Sequence, residues 1–215
     1  MIYLIGGAPR SGKTILSKRL GKTLGVSWIS SDTLESVVKQ YIPKEKHNIH
    51  FPKDRFRTLT EKSNDNMYNN NSPKEIAAAY IKQAEISWKA VETLVECMIT
   101  DQEDLIIEGH QIHPKLMQEL EERYGKDKIK SLVLIKNNID DIVTTARQGK
   151  NENDWFIKRT ANPETHFKIA QMISEYSIYL EQESTKHKTF TVSFDGNFEE
   201  QIAKALDYFL SSAKK

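Results

Sequence analysis

The feature that most constrains this chain is Gly7-Ala8-Pro9-Arg10-Ser11-Gly12-Lys13-Thr14, preceded by the apolar run Ile2-Tyr3-Leu4-Ile5 and followed directly by Ile15-Leu16-Ser17-Lys18-Arg19-Leu20. It satisfies G-x-x-x-x-G-K-[ST] in full and lies between a predicted strand and a predicted helix, the context in which that pattern holds phosphate. The glycines let the backbone turn tightly and bring successive N–H groups toward an anion, and a helix starting near Gly12 adds the positive end of its dipole. Lys13 supplies a mobile cation for β- and γ-phosphates, while the Thr14 hydroxyl is spaced to ligate the Mg²⁺ that accompanies them. Gly7 to Thr14 are therefore the expected nucleotide-binding residues. Arg10 within the loop either approaches phosphate or points to solvent.

With 215 residues the chain is long enough for one sizeable core, and one α/β domain spanning 1–215 is the natural expectation. Thirty-one Lys and Arg against thirty Asp and Glu leave a net charge of +1, so no basic field marks a nucleic-acid binder, and small partners are expected. The single cysteine, Cys97, excludes an internal disulfide and fits a reducing compartment. The initial apolar run is too short for a signal peptide and no stretch is long enough for a membrane span, so a cytoplasmic protein with no membrane partner is expected, as a monomer or homodimer.

Strands are predicted at 2–6, 26–30, 104–108, 129–136 and 189–194, alternating with helices at 12–24, from 31 to just before Pro43, 73–101, 114–124, from 139, from 163 and from 198. Alternation of this kind implies a parallel sheet with helices on both faces. Residues 43–72 are the least regular, with an asparagine run at 69–71 and the string His47-Asn48-Ile49-His50-Phe51-Pro52-Lys53-Asp54-Arg55-Phe56-Arg57, and are read as an inserted substrate-binding region. The polar segment 147–162 is read as a lid.

Ligands of such a sheet bind beyond the carboxyl ends of its strands. Asp32 follows the second strand and is placed to orient an acceptor hydroxyl and take its proton; with Glu35 three residues on, it also has the spacing of a helix cap. Glu108 closes the apolar strand Leu105-Ile106-Ile107 and is a candidate for the Mg²⁺ shell. Arg147 and Arg159, with Lys150 and Lys158 between, could bring cations to the transferring phosphoryl when the lid closes. Arg55 and Arg57 could receive an anionic group on the acceptor, and His110, with His113, is expected to line the pocket. The two H-x-x-H pairs lack the companions of a zinc site.

Taken together, the phosphate loop at the N-terminus, Asp32 after the second strand, the insertion behind it and the Arg-bearing segment after the fourth strand resemble the P-loop kinases, the group of adenylate, shikimate and gluconate kinases and chloramphenicol phosphotransferase. The resemblance implies a three-layer fold with sheet order 2-3-1-4-5, a mobile lid, ATP with Mg²⁺ as donor, and a small-molecule acceptor between insertion and loop. It also implies that Gly196, in the turn after the fifth strand, lies near the adenine. Ile106-Ile107-Glu108-Gly109 through Pro114 is similar to the E-G-x-H-x-x-P segment of 2-phosphoglycerate kinases, but Gln111 stands where that histidine would be and the histidine is one place earlier, so the same acceptor does not follow. A regulatory switch or a non-catalytic nucleotide binder is the alternative. Asn137-Asn138-Ile139-Asp140 lacks the lysine of a guanine-reading N-K-x-D, and no D-x-x-G occurs in the chain.

Overall fold

Alternation along the first strand sets the layers. In the computed structural model, which describes residues 1–149 and 154–211, β1 (Ile2–Gly7) is buried along its whole length. Ile2 and Leu4 enter one apolar cluster, and Tyr3 and Ile5 enter another on the opposite face, as the two-residue period of a strand dictates. A strand covered on both faces belongs in the middle of a parallel sheet. The sheet has five strands in the order β2-β3-β1-β4-β5, with β2 at Trp28–Ser30, β3 at Leu105–Gly109, β4 at Ile129–Ile135 and β5 at Thr191–Ser193. All neighbours pair in parallel.

The helices in chain order are α1 (Lys13–Leu24), α2 (Ser31–Tyr41), α3 (His47–His50), α4 (Pro52–Leu59), α5 (Asn64–Asn70), α6 (Pro73–Ala84), α7 (Trp88–Thr100), α8 (Pro114–Tyr124), α9 (Ile139–Gln148), α10 (Trp155–Lys158), α11 (Pro163–His187) and α12 (Phe198–Leu210). Leu16 and Leu20 of α1 and Ile202, Ala205 and Phe209 of α12 cover the Tyr3 face. Val91, Leu116, Ile142 and Ile173, from α7, α8, α9 and α11, cover the Leu4 face. Among the described residues, no helix is long and apolar enough to cross a membrane.

Three sequence expectations change. Residues 43–72 are mostly helical, as α3, α4 and α5. These helices are short, and α3 and α4 contribute no buried side chain of their own, so their apolar period is too weak to read. The long helix over 73–101 is broken by a 3-10 turn at Glu85–Ser87, where the Ser87 hydroxyl bonds back to the Ala84 carbonyl at 2.9 Å and the Trp88 indole N–H is drawn to the Gln111 carbonyl at 2.8 Å. Finally, α2 is capped by Ser30, whose hydroxyl accepts from the Asp32 N–H, so the Asp32 side chain is released from capping.

Register brings the functional edge together. Glu108 pairs with both Ile5 and Ser30, and Gly6 pairs with Gly109 and Val133. The phosphate loop, the start of α2 and the 110–113 loop therefore leave the sheet at one level. A Cβ on Gly6 would lie 2.2 Å from the Ile112 carbonyl oxygen, so the absence of a side chain there lets the 110–113 loop fold over β1.

That loop is pinned from the other side by Tyr176 of α11, whose hydroxyl donates to the His110 carbonyl at 2.7 Å. With its proton so used, the Tyr176 oxygen accepts from His113 Nε2 at 2.7 Å. His113 is therefore a neutral ring protonated on Nε2, and burial, helped by the nearby His110, pushes its pKa down to about 3.

Two outcomes follow from this packing. Gly6→Ala should cost about 1–3 kcal/mol in urea unfolding, because the backbone oxygen it meets cannot step aside as a flexible side chain would. An unfolded histidine titrates near 6.5, so below about pH 6.5 the unfolded chain takes up a proton that folded His113 refuses until about pH 3. The stability this neutral ring contributes is complete above pH 6.5 and falls as pH drops, by up to about 1.4 kcal/mol per pH unit. His113→Gln should flatten the loss of stability between about pH 6.5 and 4.5; parallel wild-type and variant curves would reject the assignment.

Candidate functional site

The phosphate loop is shaped by its glycines. Gly7 has φ 150° and Gly12 φ 97°, and a Cβ on Gly7 would meet Ser11 Oγ at 2.6 Å and the Leu134 carbonyl at 2.8 Å. Gly12 starts α1 without a side-chain cap, so the first amides of the helix remain open to an anion. Lys13 is folded over its own loop, with Nζ on the Ala8 carbonyl at 2.7 Å. Burial lowers its pKa, with Glu108 and Asp32 opposing the shift. Ser11 Oγ is buried without a hydrogen-bond partner. An uncapped helix start, an orphaned hydroxyl and a lysine resting on a carbonyl together fit a phosphate chain.

Thr14 Oγ1 donates to Glu108 Oε1 at 2.9 Å, uniting two oxygen ligands at the end of β3. Among the described residues, no group of three or more His, Cys, Asp or Glu side chains could hold a metal alone. A hydroxyl and one carboxylate fit Mg²⁺, which takes few ligands from protein and the rest from phosphate and water.

On one side of the loop lies a cavity of about 560 Å³ bordered by Asp32, Glu35, Lys53, Arg57, Tyr80, Glu108, His110, Trp155 and Arg159. Asp32 approaches His110 Nδ1 at 3.3 Å and accepts from Gln111 Nε2 at 2.7 Å. Partial removal from water raises its carboxyl, but the hydrogen bonds from His110 and Gln111 and the charge of Lys53 outweigh this, leaving Asp32 below the usual carboxylate range. Burial lowers the His110 imidazole despite the help of Asp32, so His110 faces Asp32 as a neutral donor. Lys53 Nζ pairs with Glu35 Oε1 at 3.0 Å, and Arg57 donates to the Tyr80 hydroxyl at 3.2 Å while its guanidinium lies 5.4 Å from the centre of the Trp155 ring.

On the other side lies a second cavity of about 570 Å³ bordered by Gly12, Ile15, Lys136, Thr145, Asp154 and Phe198. Arg10, Lys13, Thr14 and Trp155 border both cavities, so the loop forms the partition between them. Arg10, in the left-handed region at φ 64°, is ion-paired with Asp154 and lies over the Phe156 ring, which ties the loop to α10.

The structure gathers Lys13, Thr14, Asp32, Arg57, Glu108, His110 and Arg159 but not every expected residue. Arg55 is exposed and borders neither cavity. Arg147 reaches His166 Nδ1 at 3.2 Å and the Pro163 carbonyl at 3.3 Å, away from both. Gly196 sits in an open turn at φ 87°, and His113 is buried in the core. Lys150 lies outside the described residues. Glu35, Lys53, Tyr80, Gln111 and Trp155 were not anticipated. Glu35 had a signal, since it follows Asp32 by three residues and so shares its helix face; Lys53 and Tyr80 reach the cavity only because α4 and α6 pack beside α2.

No family model matches the chain. It is 28% identical over 120 residues to the mevalonate-3-phosphate 5-kinase of Thermoplasma acidophilum, a match covering 55% of each chain; the chain thus spans about half the length of that curated relative. Among solved structures it is similar to a gluconokinase from Sinorhizobium meliloti 1021, with TM-score 0.55 and 15% identity over 99% of this chain and 93% of that one. It is similar also to a shikimate kinase from Bacteroides thetaiotaomicron, with TM-score 0.50 and 15% identity over 98% of both. With its strand order, its loop and these neighbours, the chain has the three-layer α/β fold of the P-loop small-molecule kinases.

Proposed function

We propose that this chain is an ATP-dependent phosphotransferase that moves a γ-phosphoryl group to a hydroxyl or phosphate of a small molecule carrying an anionic group. The observation that carries the proposal is that the phosphate loop separates two cavities of similar size while Lys13 and Thr14 border both. A donor on one side and an acceptor on the other would meet at those two residues.

ATP with Mg²⁺, when bound, supplies the transferable phosphoryl group and neutralises charge on its oxygens. Lys13, now on the Ala8 carbonyl, would hold the phosphate chain, and Thr14 and Glu108 would hold the cation from the protein side. Asp32, kept ionised, accepts the proton of the attacking hydroxyl. Trp155, beside both cavities, helps exclude water, and Arg159 is the cation that the segment after α9 brings to the acceptor side.

The anionic group follows from Arg57. Its Nη1 is buried with no hydrogen-bond partner, and among the described residues no carboxylate lies within ion-pairing distance of it, whereas Lys53 is already matched by Glu35. A half-buried guanidinium with one buried nitrogen unpaired and no carboxylate in contact leaves a donor unused, and an acceptor carboxylate or phosphate would take it up with the bidentate geometry arginine favours. The name of the partial relative, mevalonate-3-phosphate 5-kinase, also specifies an acceptor that bears a phosphate.

Lys13→Ala should abolish ATP-dependent transfer with the melting temperature nearly unchanged; transfer at the wild-type rate would reject the phosphate-loop assignment. Asp32→Asn should lower kcat by roughly 100-fold or more and leave ATP affinity within about twofold, and equal losses in both would count against a role at the acceptor. Arg57→Leu should raise the acceptor KM roughly tenfold or more without changing the KM for ATP. The acceptor itself can be sought by thermal shift with a non-hydrolysable ATP analogue and a panel of sugar acids, phosphorylated hydroxy acids, nucleosides and nucleotides, since a ligand bound to the folded state raises the melting temperature.

A further inference from the structure

Two carboxylates share the acceptor cavity one helical turn apart, and a single side chain touches both. Gln111 is fully buried. Its Nε2 donates to Asp32 Oδ1 at 2.7 Å and to Glu35 Oε2 at 3.0 Å, which uses both of its N–H bonds. Its Oε1 accepts from the Ser31 hydroxyl, and its own carbonyl accepts from the Trp88 indole at 2.8 Å. Reversing the amide would set Oε1 against two carboxylates, so its orientation is determined.

Gly109 makes room for this arrangement. A Cβ there would lie 1.7 Å from Ser31 Oγ and 2.8 Å from Gln111 Oε1. The end of β3 is thus bare where the Ser31–Gln111 contact passes.

We propose that Gln111 is a positioning residue that aims Asp32 at the acceptor hydroxyl by holding the Asp32 and Glu35 carboxylates with one N–H each. Without those donors His110 still reaches Asp32, and Lys53 and Gln83 still hold Glu35, but Asp32 loses one of its two hydrogen-bond donors, its direction loosens, and the neighbouring carboxylate moves it toward protonation. The role given to Asp32 rests on the kinase reading above; the clamp itself does not.

The titratable groups facing Asp32 are the charged Glu35 on its own helix, Lys53 from α4 and Lys13 from α1, and the neutral His110 from the loop after β3 and Tyr176 from α11. Arg57 and Arg159 border the same cavity. In wild type their balance with Gln111 keeps Asp32 ionised to well below neutral pH, so loss of Gln111 alone should be visible against a constant background of the others.

The test is a carboxyl-detected NMR titration of the full chain, with the Asp32 resonance identified by its absence in Asp32→Asn. In Gln111→Met, which keeps the volume and removes both donors, the Asp32 midpoint should rise by about one pH unit or more. In Gln111→Glu, which adds a third carboxylate, it should rise further. The acid limb of the kcat–pH profile should move in the same direction, with ATP affinity within about twofold of wild type. If Gln111→Glu does not fold, Ser31→Ala, which removes the hydroxyl that anchors Gln111 Oε1, should give a smaller rise of the same sign.

Folded Gln111→Met with an Asp32 midpoint and a kcat profile like those of wild type would overturn the proposal. Absence of transfer by the wild-type chain with every acceptor would reject the kinase reading, while the NMR midpoints would still decide whether Gln111 clamps the two carboxylates.

Discussion

A parallel sheet buried on both faces leaves polar chemistry almost no place except its carboxyl edge, and this constraint organises the molecule. Along β1 and β4 every residue is buried, so a charge there is desolvated and must find partners, as Lys130 of β4 does on the Tyr208 and Phe209 carbonyls. At the edge the strands stop together, and Glu108, Ser30 and Gly6 come within one register step. The hydroxyl of Thr14 meets the Glu108 carboxylate because α1 starts directly above β3's end. Elements remote in sequence thus converge without any one of them carrying a complete site.

The edge is built in two tiers. Groups open to the cavities, such as Asp32 and Arg57, are available to ligands. Behind them lie buried groups whose hydrogen-bonding capacity is already committed, namely Gln111, His113 and Tyr176. The second tier fixes the first. Tyr176 anchors the backbone of His110 from α11, on the far side of the loop from Asp32, while Gln111 reaches past Gly109 to Ser31. Such saturated buried networks specify geometry strongly, because each alternative arrangement leaves a desolvated donor or acceptor unpaired.

The phosphate loop has a different character. Its groups are left wanting: an uncapped helix, a buried hydroxyl without a partner, and a lysine parked on a main-chain carbonyl. Arg57 belongs with them, since its Nη1 is similarly unpaired. Folding free energy alone would select against these features; buried polar atoms without a partner also occur away from the loop, at Ser17, Asn64, Thr165 and Ser184 among others, so what points to a ligand is that here they stand beside an open helix start and a cavity.

The phosphate loop, the alternation of strands and helices and the edge position of Asp32 and Glu108 were legible in the sequence, because each depends on short-range spacing: a loop motif, a two- or 3.6-residue period, a residue just past an apolar run. What lay in the insertion was not. α3 and α4 bury no side chain of their own, so no periodicity betrayed them, and Lys53 enters the cavity by the docking of one short helix on another. Arg55 and Arg57, two residues apart, looked equivalent, and only the packing of α4 beside Tyr80 separates the one that borders the cavity from the one that faces solvent. The same holds for Gln111, a neutral amide with no motif around it, whose role exists only when Ser31, Asp32 and Glu35, some 76–80 residues earlier, are folded against it. Local spacing determined which chemistry the chain could attempt; long-range packing decided which side chains stand where that chemistry would occur.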